Sequence, residues 1–260
     1  MKRFIYGLIT TLALAAMQQR AMACSCAFRA VHEYYVSAEF IAHARIVSMT
    51  QDSEDKEYHT AKIEIIELFK GEMRTTISVY TGSRLAGGAD CGIWTEPGSE
   101  WLVVADQHNN RLSFGLCSNS RQLLPANSLV TSFDDKDLKV LRLMRDKVGS
   151  TAALDQKNNY FWIRDEALDE FKGTSLTGES VALYLATFDI KGNLKNLKAI
   201  HEFKNQKVAA RLNAVLEKQL YIKPFNSRME KAPLNRQRLI AIYYRPGSKG
   251  MSSMLSTHNF

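Results

Sequence analysis

The sequence predicts a small all-β barrel followed by a compact α+β unit. Three observations carry this reading. Five short strand patterns separated by turn signals crowd into about 80 residues of the first half. All four cysteines fall in that same half. The charge changes sign near residue 130: residues 24–133 hold 9 Lys/Arg against 13 Asp/Glu, and residues 134–260 hold 22 against 14. With 260 residues, 45% of them hydrophobic and 23% charged, the chain has an ordinary globular composition and room for two modest domains.

Residues 1–23 read as a secretory signal. Lys2 and Arg3 form a positive start, Phe4 to Met17 is apolar, and Ala21-Met22-Ala23 is a small-x-small cleavage site. The apolar run is about 14 residues, short of the ~20 a membrane-spanning helix needs. Cleavage after Ala23 makes Cys24 the first residue of an exported chain, periplasmic or secreted.

The strands follow in order. Residues 38–48 alternate, with Phe40, Ala42, Ala44 and Ile46 on one face. Residues 58–69 alternate through Ala61, Ile63 and Ile65, then slip phase at Ile66 and Leu68, which predicts a bulge of the kind that bends a sheet into a barrel. Lys70-Gly71 ends that strand. Thr76–Tyr80, Glu100–Ala105 and Arg111–Cys117 complete the set, the last two joined by a polar hairpin loop. Five strands of this size suit a closed barrel of the oligonucleotide/oligosaccharide-binding (OB) type. Residues 134–147 predict a helix with Leu138, Leu141 and Met144 on one stripe, ending at Gly149.

The second half predicts a short helix at Asp165–Lys172, strands at Val181–Ile190 and Leu194–Phe203 around the turn Lys191-Gly192-Asn193, a helix over 206–220 and a strand at Leu239–Tyr244. The expected divisions are therefore a signal (1–23), a barrel (24–133), a helix and linker (134–150), an α+β domain (151–246) and a flexible polar tail (247–260).

In an oxidising compartment Cys24, Cys26, Cys91 and Cys117 read as two disulfides. Cys24 and Cys26 sit too far apart on an extended chain to bridge each other, so each pairs with one of the distant two. Either bridge closes a long loop, worth roughly 4 kcal/mol in the chain-entropy model. A four-thiolate zinc site needs two close pairs, and Cys91 and Cys117 stand 26 positions apart. The six histidines show no metal-ligand spacing, and no phosphate loop or nucleophile elbow appears, so the expectation is no enzyme and no cofactor of its own. Glu64 and Glu67 are expected to face solvent. The basic second half suits an anionic lipid, cell-wall polymer or acidic protein, or is simply a solvated surface; nucleic acid is not an expected partner of an exported chain.

Over residues 24–120 the chain resembles the tissue inhibitors of metalloproteinases and netrin-like modules. The mature start Cys24-Ser25-Cys26, the strand Glu39–Val47, Cys91-Gly92 ahead of the strand Trp101–Ala105, and Cys117 closing the fifth strand carry the likeness. The resemblance implies an OB-type barrel and the pairs Cys24–Cys91 and Cys26–Cys117. It implies that the α-amine and carbonyl oxygen of Cys24 chelate the catalytic zinc of a partner protease. Ser25 would then enter the pocket beside the metal, with Ala27, Ala89 and Asp90 forming the adjoining edge. The chain lacks the family's third N-terminal bridge, a proline soon after the second cysteine, and the cysteine-rich C-terminal domain. Netrin-like modules imply the alternative of interaction without inhibition. Lipidation of Cys24, which would bring membrane association, favours Leu where this chain has Ala21, and would acylate the amine.

The strand Val181–Ile190, the turn at Gly192, the helix over 206–220 and Ile242-Tyr243-Tyr244-Arg245-Pro246 are similar to the C-terminal domain of TonB, a periplasmic energy transducer. That resemblance implies a Gram-negative periplasm and a peptide-docking strand edge.

Overall fold

A computed structural model of the chain describes residues 26, 29–82, 92–108, 110–123, 131–149, 154, 161–164, 166–178, 180–189, 191–222 and 237–258. Residues 1–23, expected to be a signal, lie outside the described residues.

Helix α1 (Val31–Ser37) leads into strands β1 (Phe40–Gln51), β2 (Tyr58–Lys70), β3 (Thr76–Tyr80), β4 (Glu100–His108) and β5 (Arg111–Phe114). The sheet order is β1-β2-β3-β5-β4, and pairing of β1 with β4 closes it into a five-stranded barrel, consistent with the OB type. The sheet is mixed: β3 and β5 run parallel, the other neighbours antiparallel. A short strand β6 (Arg121–Gln122) resumes the course of β5 along β4, after a detour through the turn Leu116–Ser118.

The barrel closes because β1 and β4 alternate between two apolar environments. Phe40, Ala42, Ala44 and Ile46 meet Trp101, Val103, Ala105, Ala61, Ile63, Ile77, Val79 and Phe114 inside. Ile41, Leu102, Val104 and Phe69 form an outer face that needs a cover. The phase slip in β2 is a bulge: His43 pairs with Glu67 and Ala44 with Ile65, so Ile66 has no partner and projects outward, 44% exposed.

The cover comes from α1 and α2 (Thr131–Val148). Leu138, Leu141 and Met144 make the predicted stripe and Val140 joins it. Helix α1, which the sequence reading missed, presents Val31, Tyr34, Tyr35 and Val36 to the same core. Its seven residues are rich in β-branched and aromatic types, so propensity gives no helix signal. Glu33 accepts a hydrogen bond from the Ala30 amide at 2.8 Å and starts the helix.

In the second half, β7 (Trp162–Ile163) pairs with β10 (Leu220–Tyr221), while β8 (Val181–Phe188), β9 (Leu194–His201), β11 (Arg238–Arg245) and β12 (Met254–Ser256) form a sheet in the order β12-β11-β8-β9. One face, with Ala182, Tyr184, Ala186, Ile240 and Ile242, packs on Val208, Leu212 and Leu216 of α3 (Gln206–Gln219). The other, with Val181, Leu183, Leu239, Ala241 and Tyr243, joins the core of α1, α2 and the barrel's outer wall.

Three expectations need correction. The segment expected as a short helix at 165–172 holds only a single turn of 3₁₀ helix, Asp169–Phe171. The tail expected to be loose contains β12, paired with Tyr243–Arg245, because Leu255 is buried against the α3-side core. The fifth strand ends at Phe114, so Cys117 sits in the following turn rather than on the strand.

Candidate functional site

The start of the described chain is tied down at several points. Cys26 is bonded to Cys117 with their Cα atoms 5.0 Å apart. Cys117 lies in the turn Leu116–Ser118, which interrupts the β5–β6 course beside β4. Asn119, in the left-handed region at φ 69°, donates from Nδ2 to the Arg29 carbonyl at 3.0 Å. Arg29 in turn donates to Ser37 Oγ at 2.6 Å and lies 3.7 Å from the Asp106 carboxylate. The entry to α1 is thus fixed by sulfur, side-chain amide and guanidinium.

A second segment converges nearby. The Ile93 amide donates to the Tyr80 carbonyl at 3.0 Å, and Gly115, two residues before Cys117, packs so closely on Tyr80 that a Cβ there would lie 3.3 Å from the Tyr80 Cβ. Gly92 admits no side chain: a Cβ would fall 2.0 Å from the Thr81 carbonyl oxygen and 2.6 Å from the Gly82 nitrogen. Thr81 and Gly82 donate their amides to the Glu57 carbonyl at 2.8 and 3.1 Å. The Thr81 hydroxyl also donates to that carbonyl, at 3.0 Å, and therefore accepts from His59 Nδ1 at 2.8 Å. That fixes the proton of His59 on Nδ1. Trp94, 41% exposed, stands edge-on to His59 with ring centres 5.1 Å apart. Both chain segments flanking residues 83–91 are held by backbone hydrogen bonds to the barrel.

Of the residues expected to form the inhibitory edge, Cys26 and Cys117 are brought together as a pair. Cys24, Ser25, Ala27, Ala89, Asp90 and Cys91 lie outside the described residues. Sequence reasoning missed the packing of Gly92, the Arg29–Asn119 tie and the role of Lys70. Lys70 Nζ donates to the carbonyls of Tyr35 and Val36 at 2.8 and 3.0 Å and so caps the C-terminal end of α1. Desolvation brings its pKa down to about 8. A lysine ending a strand pattern gives no hint of such a cap.

Three of the histidines sit in separate settings. His32 is buried against Tyr243, His43 pairs with Glu100 at 2.9 Å on the barrel wall, and His59 belongs to the Thr81 cluster. Among the described residues no group of three or more His, Cys, Asp or Glu is placed to hold a metal ion. Glu64 faces solvent as expected, bonded to Arg45 at 3.1 Å. Glu67 does not: it is clasped by Arg142 and Arg145 of α2 at 2.7 and 2.9 Å, because the bulge turns it toward that helix.

Compared with protein-family models and with curated proteins, the chain finds no match. Among the described residues no helix is long and apolar enough to cross a membrane, and the Cys26–Cys117 disulfide is compatible with export.

Proposed function

We propose that the mature protein is an exported, non-catalytic interaction protein that inhibits zinc metalloproteases through the free amino terminus of Cys24. The observation that supports this is the clamp two residues downstream: Cys26 is bonded to Cys117 on a closed five-stranded barrel. A donor pair displayed next to a rigid clamp loses little conformational entropy when it binds. The α-amine and carbonyl oxygen of Cys24 would occupy the open coordination position of the partner's catalytic zinc. A bridge from Cys24 to Cys91 would hold the donors from the other side. Ser25 would enter the pocket beside the metal, and Ala27, Ala89 and Asp90 would line the edge. The zinc belongs to the target, and the protein carries no cofactor of its own.

The test is inhibition of a zinc metalloprotease catalytic domain cleaving a quenched peptide, with and without one alanine placed before Cys24. Loss of chelation is expected to weaken inhibition by about a hundredfold, the equivalent of about 2.7 kcal/mol. A free α-amine has a pKa near 7.7–8, so potency should also fall as pH drops below about 7. Equal binding by the native and extended proteins would instead identify an interaction module without metal capping.

A further inference from the structure

One cleft of the barrel has a described lining that includes none of the residues expected at the Cys24 edge. It has a volume of about 440 Å³ and is lined by Glu39 ahead of β1, Glu72 and Arg74 in the β2–β3 turn, Gln107 and Asn110 at the β4–β5 hairpin, and Leu112. That volume is within the ~300–1,000 Å³ range of small-molecule sites. Gly71 also lines it, with φ at +92° and so close to the Glu39 carbonyl oxygen that a Cβ would fall 2.7 Å from it.

Arg74 is the informative residue. Its guanidinium carbon stands 5.2 Å from the centre of the Phe40 ring, and its Nε is shut off from solvent without a hydrogen-bond acceptor. Among the described residues no carboxylate pairs with it, although two glutamates line the same cleft. Nε is too enclosed to meet a ligand itself; the two terminal nitrogens, with no acceptor among the described residues, are the donors left for a planar anionic group. The Glu39 and Glu72 carboxylates favour a cationic group in the same space. Leu112 is the one apolar side chain among the described lining residues, so the body of the ligand is small. A sugar would need an aromatic platform, and the nearby ring of Phe40 is 1% exposed.

We infer that this cleft binds a small zwitterion, a free amino acid or dipeptide, with its carboxylate on Arg74 and its ammonium between Glu39 and Glu72. Gln107 and Asn110 supply carboxamides to the intervening polar atoms. This site stands independently of metal capping by Cys24.

Calorimetric titration of the mature protein with each of the twenty amino acids and with glycylglycine tests it. At least one is expected to bind saturably at one per chain. Arg74→Gln and Glu72→Gln should each weaken that binding at least tenfold, and N-acetylated or amidated forms of the same compound should bind at least tenfold more weakly. Because Arg74 covers Phe40, Glu72→Gln keeps the test open if Arg74→Gln fails to fold. Absence of saturation up to about 10 mM, a free energy weaker than about −2.7 kcal/mol, would overturn the inference. So would binding that survives Glu72→Gln unchanged.

Discussion

Burial keeps His32 neutral. Its Nδ1 and backbone amide both lie against the Tyr243 hydroxyl, at 3.0 and 3.1 Å, while Nε2 is buried without a hydrogen-bond partner. Desolvation, with a smaller contribution from His258, lowers its pKa to about 3. An unfolded histidine takes its proton near 6.5, so between these values the unfolded state binds more protons. The stability that neutral His32 contributes is complete above about pH 6.5 and falls as pH drops toward 3. Urea unfolding at pH 7 and pH 5 should show the lower midpoint at pH 5, and His32→Asn should flatten that difference. Removing the hydroxyl with Tyr243→Phe strands a buried amide and should cost about 1–3 kcal/mol at pH 7. Glu67 behaves in the ordinary acidic way: hydrogen bonds from Arg142 and Arg145 hold its carboxyl below the usual range. Its contribution is present above the unfolded pKa and is lost as pH falls through the lower folded value. Glu67→Gln should cost on the order of 1 kcal/mol, read by thermal melting at neutral pH. None of these roles is legible in the sequence, because each depends on a partner more than 70 positions away.

The long strands and the two long helices are the legible elements, since alternation and helical spacing report burial directly, whereas the two- and three-residue strands β6, β7, β10 and β12 are too short to show a period. Even the bulge at Ile66 was visible, because one inserted residue inverts the faces that follow. Helix α1 was not, because its signal is tertiary: Tyr34, Tyr35 and Val36 are apolar groups waiting for a core that β8 and β11 complete. Gly92 was legible only as part of a Cys-Gly pair, not as a packing constraint. Gly92→Ala places a methyl group into the Thr81–Gly82 backbone, and separation of those segments should lower stability by about 1–3 kcal/mol. Chemical denaturation of the variant checks this, and an unchanged midpoint would show that the two segments part freely. The Cys26–Cys117 bridge spans 91 positions, so Cys117→Ser should remove about 4–5 kcal/mol in the chain-entropy model. Chemical denaturation under reducing conditions should show at least that loss, because the expected second bridge opens as well.

At the scale of the molecule the two halves share a core. Val181, Leu183, Leu239 and Tyr243 from the C-terminal sheet pack with Tyr34, Leu141 and Met144, which in turn cover Ile41 and Val104 of the barrel. The change of charge sign near residue 130 does not reveal this, because charge reports the surface and not what lies under it. A chain ending at residue 149 would leave α1 and α2 uncovered, and is expected to bind hydrophobic dye and to melt without cooperativity. A sharply melting monomer of that length would show that the barrel needs no buttress. The functional proposal rests on a narrower point, the chemical state of the chain's beginning. Intact-mass measurement of the exported protein decides it. The expected mass is that of residues 24–260, less about 4 Da for two disulfides, with no added group. A product that begins elsewhere than Cys24, or that carries an acyl group on its nitrogen, would contradict metal capping outright.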